Sequence, residues 1–310
     1  MRRSRLAVPA LALLVPLATL VLAPSCGART GLNVDAFEPE PEEDAGIDAP
    51  PDVKPDAKPD APPDVPELPP CDPDVLHIYL VTSETDLYRY RPDTGAFSLV
   101  GNLACSDVAS PFSMGVARTG VAYVVYNDGE LYRVSTIDAS CQPTGWFVGQ
   151  GGFTTFGMGF AVDDDGQGET LHVAEINFSG PSAGLATIDT KTLDLNYIGP
   201  FSVNLGFAVE LTSSDDGNLY GYFLNSNGPG GFVVEIDKNT AEILSSVALP
   251  TGGQGSALAF AYWSGDFYIF TSEGGQTTVT RYQPSSGSVQ VVATLDRTVV
   301  GAGVTTCKIP

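Results

Sequence analysis

The chain has 310 residues, with 37 acidic against 15 basic side chains and a formal net charge of −22. That balance excludes a nucleic-acid role, because phosphate backbones demand a basic surface. Hydrophobic residues reach 43%, sufficient for a core, while 34 Gly and 24 Pro point to turns and linkers, and only His77 and His172 could offer imidazole chemistry.

Residues 1–26 read as an export signal. Arg2, Arg3 and Arg5 form a basic start, and the apolar run from Leu6 to Ala23 is broken by Pro9 and Pro16. A run so short and so broken suits secretion better than a membrane span. Leu22-Ala23-Pro24-Ser25-Cys26-Gly27 resembles the bacterial lipobox, although Ala23 stands where that motif usually has Leu. The resemblance implies that Cys26 is acylated and becomes the mature N-terminus, and Gly27, in place of an Asp, implies the outer membrane. Ordinary cleavage near Ala23 is the alternative.

The cysteine count fits the lipid reading. Five cysteines stand at 26, 71, 105, 141 and 307, and an odd number would leave a reactive thiol in an oxidising compartment. Assigning Cys26 to lipid leaves four that can pair. With two or more acyl chains on one residue, attachment would be stable.

Residues 27–70 are a stalk. Eleven of the 36 residues from 35 to 70 are proline, and Phe37 is the one aromatic. Such a segment buries too little apolar surface to offset the entropy of ordering. Extended as polyproline II at about 3.1 Å per residue, it could hold a domain roughly 100 Å from its anchor. Twelve acids against Arg29, Lys54 and Lys58 add self-repulsion.

Residues 71–310 repeat. One series runs through Gly115, Gly159, Gly206, Ala259 and Gly303, embedded in Ser113-Met114-Gly115-Val116-Ala117, Gly157-Met158-Gly159-Phe160-Ala161, Leu205-Gly206-Phe207-Ala208, Leu258-Ala259-Phe260-Ala261 and Ala302-Gly303-Val304-Thr305. A second series begins at Leu87, Leu131, Leu185, Val233 and Val279. Each unit has room for four short strands, placed in the second unit at 113–118, 121–127, 130–135 and 144–148. Thr119-Gly120, Asn127-Asp128-Gly129, Asp216-Gly217 and Ser264-Gly265 supply hairpin turns. The expected fold is therefore all-β, a five-bladed β-propeller, with a six-bladed ring containing one degenerate blade as the alternative.

The phase of the repeats predicts how the ring closes. The first series has a surplus last member at 301–306, and the first unit, opening with one strand at Leu76–Thr82, lacks an innermost strand. Placing 301–306 there completes five blades and leaves no open edge. Cys307 then ends a strand beside the start of its antiparallel partner, near Cys71, so a Cys71–Cys307 bridge would latch the seam. Cys105–Cys141 follows by elimination, against a strand map that sets the two on opposite faces of the ring.

Chemistry is hard to find. Asp163-Asp164-Asp165-Gly166-Gln167-Gly168-Glu169 is oxygen-rich, as calcium loops are, but lacks their ligand spacing and reads as an acidic hairpin turn. His77 and His172 read as strand residues. No catalytic residue, metal ligand or cofactor motif emerges: there is no nucleophile elbow, Walker loop or HExxH. If a ligand binds, a propeller places it at one axial mouth, built from blade-to-blade crossings and second-to-third strand loops. Those loops offer Gln150, Phe153, Asn177, Asn225, Asn227, Gln254, Glu273 and Gln276, suited to a neutral polar ligand such as a glycan, or to a protein.

Cys26-Gly27-Ala28-Arg29-Thr30-Gly31-Leu32 followed by the Pro/Asp tract, with Gly303-Val304-Thr305-Thr306-Cys307 at the end, resembles exported lipoproteins of myxobacteria. The resemblance implies a lipid-anchored, stalked propeller and no particular activity. The expectation is a monomeric binding or scaffold module of the cell envelope, attached to the membrane through its N-terminal lipid. The alternative is a propeller hydrolase or lyase acting on carbohydrate or lactone.

Overall fold

The computed structural model describes residues 68, 71, 76–178, 180–206, 208–225, 228–250 and 255–308. The signal segment, Cys26, nearly all of the stalk, Asn227 and Gln254 lie outside the described residues.

The described chain is five antiparallel four-stranded sheets, with a single 3-10 turn at Gln150–Gly152. It is a five-bladed β-propeller. The first blade holds β1 (Ile78–Thr82), β2 (Asp86–Arg91) and β3 (Ala96–Asn102). The second has β4 (Pro111–Val116), β5 (Val121–Tyr126), β6 (Leu131–Ser135) and β7 (Cys141–Pro143), and the third β8 (Phe156–Val162), β9 (Glu169–Glu175), β10 (Leu185–Ile188) and β11 (Leu195–Gly199). The fourth runs β12 (Val209–Ser213), β13 (Leu219–Leu224), β14 (Gly231–Ile236) and β15 (Ile243–Leu249); the fifth β16 (Ala257–Trp263), β17 (Asp266–Glu273), β18 (Gln276–Gln283) and β19 (Ser288–Leu295).

The final strand, β20 (Val299–Gly303), pairs with β1 and is the innermost strand of the first blade. Tyr79 faces Gly303 and Leu80 faces Ala302 in that pairing. The strand begins two residues before the expected 301 and ends before Val304. On its other side, the hydroxyls of Ser272 and Thr277, 2.6 Å apart, hold the fifth blade to β20: Ser272 donates to the Val299 carbonyl at 3.0 Å, and Thr277 accepts from the Val299 amide at 3.0 Å. Both groups are buried, so these bonds satisfy polar atoms that burial would otherwise penalise.

Apolar residues follow from place in the ring. The two strands of a blade nearest the axis have a neighbouring blade on both faces, so β1, second in its blade, is buried at every residue and β8, innermost in its own, at six of seven. Outer strands have solvent on one side, and β15 alternates little because five of its seven residues are exposed. The core is five wedges, one between each pair of consecutive blades. Fully buried rings such as Tyr79, Phe156, Phe223 and Phe270 fill them, each contributing roughly 1.5–3 kcal/mol of apolar burial.

One backbone device recurs in all five blades and was not visible in the residue pattern. The turn into each outer strand places its last residue at positive φ: Gly95 (69°), Ala139 (62°), Leu193 (65°), Ala241 (63°) and Gly287 (70°). Each of these amides donates to the carbonyl four residues back, at 2.8 to 3.0 Å. Only two of the five are glycine, so no single residue type marks the repeated position. Ala139 and Ala241 are buried, so their methyl packing offsets part of the left-handed strain.

Both disulfides form, Cys71–Cys307 with Cα atoms 5.7 Å apart and Cys105–Cys141 at 5.3 Å. The second joins cysteines that the flat strand map sets on opposite faces of the ring, and two features of the fold account for it. The outer strand of the second blade lies at Cys141–Pro143 rather than 144–148. In addition, adjacent strands twist by about 20–25° each, so an outer strand runs steeply across the axis. The leaving end of one outer strand therefore meets the turn of the next blade. An added Cβ at Gly101, in β3, would lie 2.9 Å from Cβ of Ala139 in the second blade.

Candidate functional site

Inner strands crowd the axis. Gly157 in β8 is where this is tightest: a Cβ there would sit 1.9 Å from the Val209 carbonyl and 2.9 Å from Cα of Glu210. Only glycine lets β8 and β12 approach so closely.

The fourth blade departs from the small-residue series. Its innermost strand starts at Val209, so Gly206 falls in the crossing and not in the strand. The strand itself reads Val-Glu-Leu-Thr-Ser, which puts a carboxylic acid next to the axis. Glu210 is only 3% exposed. Its Oε2 accepts a hydrogen bond from the Ser113 hydroxyl of β4 at 2.7 Å, two blades away. Burial pushes its acid dissociation well above the usual carboxylate range, and the Ser113 bond opposes this only in part.

Glu210 lines a cavity of about 280 Å³ at the mouth where inner strands begin. Every blade contributes to the wall: Val300, Phe112, Ile176 and Phe178, Ala208 to Glu210 with Leu224, and Gly255 to Leu258 with Thr271. Phe112 and Phe178 meet edge to face, their ring centres 6.4 Å apart, and Phe178 is mostly exposed at the rim. Backbone hydrogen bonds fix this mouth in equivalent places, among them Ile176 to Thr155 (3.0 Å), Leu224 to Ala208 (3.1 Å) and Ser256 to Ser272 (2.7 Å).

None of the six described candidates lines this cavity. Gln150 clasps two blades: its Nε2 donates to the Leu193 carbonyl at 2.9 Å and its Oε1 accepts from the Leu195 amide at 3.1 Å. Phe153 is wholly buried in the wedge between the second and third blades. Asn177 and Asn225 donate to the carbonyls of Pro181 and Pro229, each at 3.4 Å, holding the matching Asn-x-x-Gly-Pro loops of neighbouring blades. Glu273 and Gln276 are exposed, and Gln276 donates to Asp296 at 2.8 Å. The lining is apolar where amides were expected. Glu210 lies in a strand, outside the loops from which the sequence points to a site. An acid inside an otherwise apolar inner-strand segment was the available signal.

The acidic run 163–169 forms the hairpin between β8 and β9, and its carboxylates are engaged within the fold. Asp163 accepts from Thr170 at 2.7 Å, and Asp164 pairs with Lys238 at 2.8 Å. Glu169 accepts from the Arg118 amide and the Thr306 hydroxyl, both at 2.8 Å, tying the chain end to the second and third blades. His172 is buried in β9, where Nδ1 lies 3.1 Å from the Thr170 carbonyl, and burial draws its pKa down to about 4. Among the described residues, no group of three or more His, Cys, Asp or Glu side chains is placed to hold a metal ion.

No protein-family model matches the sequence, and no curated protein sequence does either. The fold is similar to several solved structures. One is a nidogen/laminin complex, at 12% identity and a TM-score of 0.47, covering 73% of this chain and 97% of that one. Another is the GH43_1 enzyme of Xanthomonas citri complexed with xylotriose, at 13% identity and 0.45, covering 60% and 74%. TolB from Acinetobacter baumannii gives 13% identity and 0.43, covering 74% and 55%. The propeller assignment rests on the five sheets and their pairing.

Proposed function

We propose that this chain is a lipid-anchored, stalked β-propeller of the cell envelope that binds a small molecule at its axial mouth. Cys26 would carry the lipid and residues 27–70 the spacing. Two disulfides fit an oxidising compartment. The observation that carries the binding reading is the mouth cavity, an apolar recess with a buried acid held across the axis by Ser113. Concave apolar sites with few fixed polar groups are the usual form of a ligand pocket. The lining turns the expectation away from a glycan, which would need several polar partners, and towards an apolar molecule with one polar end. Among the described residues the cavity contains a single carboxyl group, whereas glycosidic cleavage ordinarily uses a pair.

A thermal-shift screen of the exported chain against small apolar compounds tests the reading. Binders should raise the melting temperature of the wild type and lose that effect in Leu258→Trp, which fills the cavity. Binders that act equally on both would contradict it.

A further inference from the structure

We infer that the mouth takes a small organic amine, its ammonium group set against Glu210 and its apolar body against Phe112, Phe178, Leu224 and Leu258. The inference rests on the reading of the mouth as a binding site and adds the chemical class of the ligand.

Glu210 is the one titratable side chain in the described lining, and its hydrogen-bond partner there is the Ser113 hydroxyl alone. An ionised carboxylate can accept about four hydrogen bonds, so a single hydroxyl leaves it far from satisfied. Among the described residues, no cationic side chain stands in the wall to balance it. A carboxyl group in this setting keeps its proton while the cavity is empty, and ionises when a positive charge arrives beside it. An ammonium supplies that charge together with up to three N–H donors.

The remaining features agree. Phe112 and Phe178 both line the cavity, and aromatic rings attract cations rather than anions to their faces. The net charge of −22 raises the local concentration of cations around the molecule. A volume of about 280 Å³ limits the ligand to roughly one ring or a short chain. The balance is simple: the amine enters as ammonium, Glu210 gives its proton to solvent, and one proton is released for each amine bound.

The test is calorimetric titration of the exported chain with benzylamine and with its neutral counterpart, benzyl alcohol. The wild type should bind benzylamine more than about tenfold tighter than the alcohol. Its heat should change with the ionisation enthalpy of the buffer, as one released proton requires. Glu210→Gln should abolish both the preference for the amine and the buffer dependence. Equal binding of the two compounds by the wild type, or a preference that survives Glu210→Gln, would overturn the amine assignment and leave the mouth as a binding site. Failure of both compounds to bind would overturn both readings. Because the first comparison uses the unaltered protein, it decides the matter even if Glu210→Gln does not fold.

Discussion

The hydroxyl of Ser113 and the carboxyl group of Glu210 are joined at 2.7 Å, from the innermost strand of the second blade to that of the fourth. The third blade stands between these two in ring order, so the bond exists only because inner strands are packed almost backbone to backbone. One contact thus reports on the tightness of the axis and supplies the polar group of the mouth.

Glu210 makes a signed prediction about pH. Its folded-state pKa is raised above the ordinary 4.5, mainly by burial. The folded protein therefore holds a proton that the unfolded chain releases, and stability from this group is full below pH 4.5 and lost as pH rises towards the folded value. The stability of the wild type minus that of Glu210→Gln should fall with rising pH, with a limiting slope of about 1.4 kcal/mol per pH unit. Urea unfolding of both proteins between pH 4 and 8 measures it; a difference that grows with pH would be the wrong sign.

His172 predicts the opposite slope. Burial lowers its pKa from 6.5 to about 4, so the unfolded chain takes up a proton that the folded protein refuses. Its contribution is full above pH 6.5 and disappears as pH falls through the folded value. Relative to His172→Asn, the wild type should lose up to about 3 kcal/mol between pH 6.5 and 4. A flat difference over that range would show that the ring titrates normally.

Gly157→Ala should separate β8 from β12, since its Cβ would lie 1.9 Å from a backbone carbonyl that has no rotamer to change. A loss of about 3 kcal/mol or more is expected from overpacking against backbone. Gly166→Ala, in the exposed acidic hairpin with nothing within 4 Å, carries only the strain of φ +69° and should cost about 1 kcal/mol. Similar losses from the two changes, read by chemical denaturation, would argue against a tight axis.

The two disulfides should differ in worth. Cys71–Cys307 closes a loop 236 residues apart in sequence, Cys105–Cys141 one of 36. In the chain-entropy account the longer loop stabilises by about 1–2 kcal/mol more, with about 5 kcal/mol as its upper figure. Paired Cys→Ser variants compared by urea unfolding should rank in that order.

Much of this architecture was legible because blades repeat in sequence as well as in space. The small residues around Gly115, Gly159 and Gly303, and the surplus strand at the end, gave blade number and closure. What was hidden is three-dimensional. The steep outer strands that bring Cys105 to Cys141 arise from accumulated twist, which a flat strand map ignores. The matching turns at Ala139, Leu193 and Ala241 share a backbone angle but not a residue type. Glu210 gave no motif, because its chemistry comes from burial and from Ser113, 97 residues away.

The mouth, its acid and the latch at the seam all require β20 to belong to the first blade, paired with β1 and bound to the fifth blade. Amide hydrogen exchange on Val299–Gly303 measures that membership directly. The account predicts protection of Gly301 and Ala302 comparable to that of Leu80 and Val81 in β1, lost together with them on global unfolding. Rapid exchange at 299–303 while β1 stays protected would contradict it.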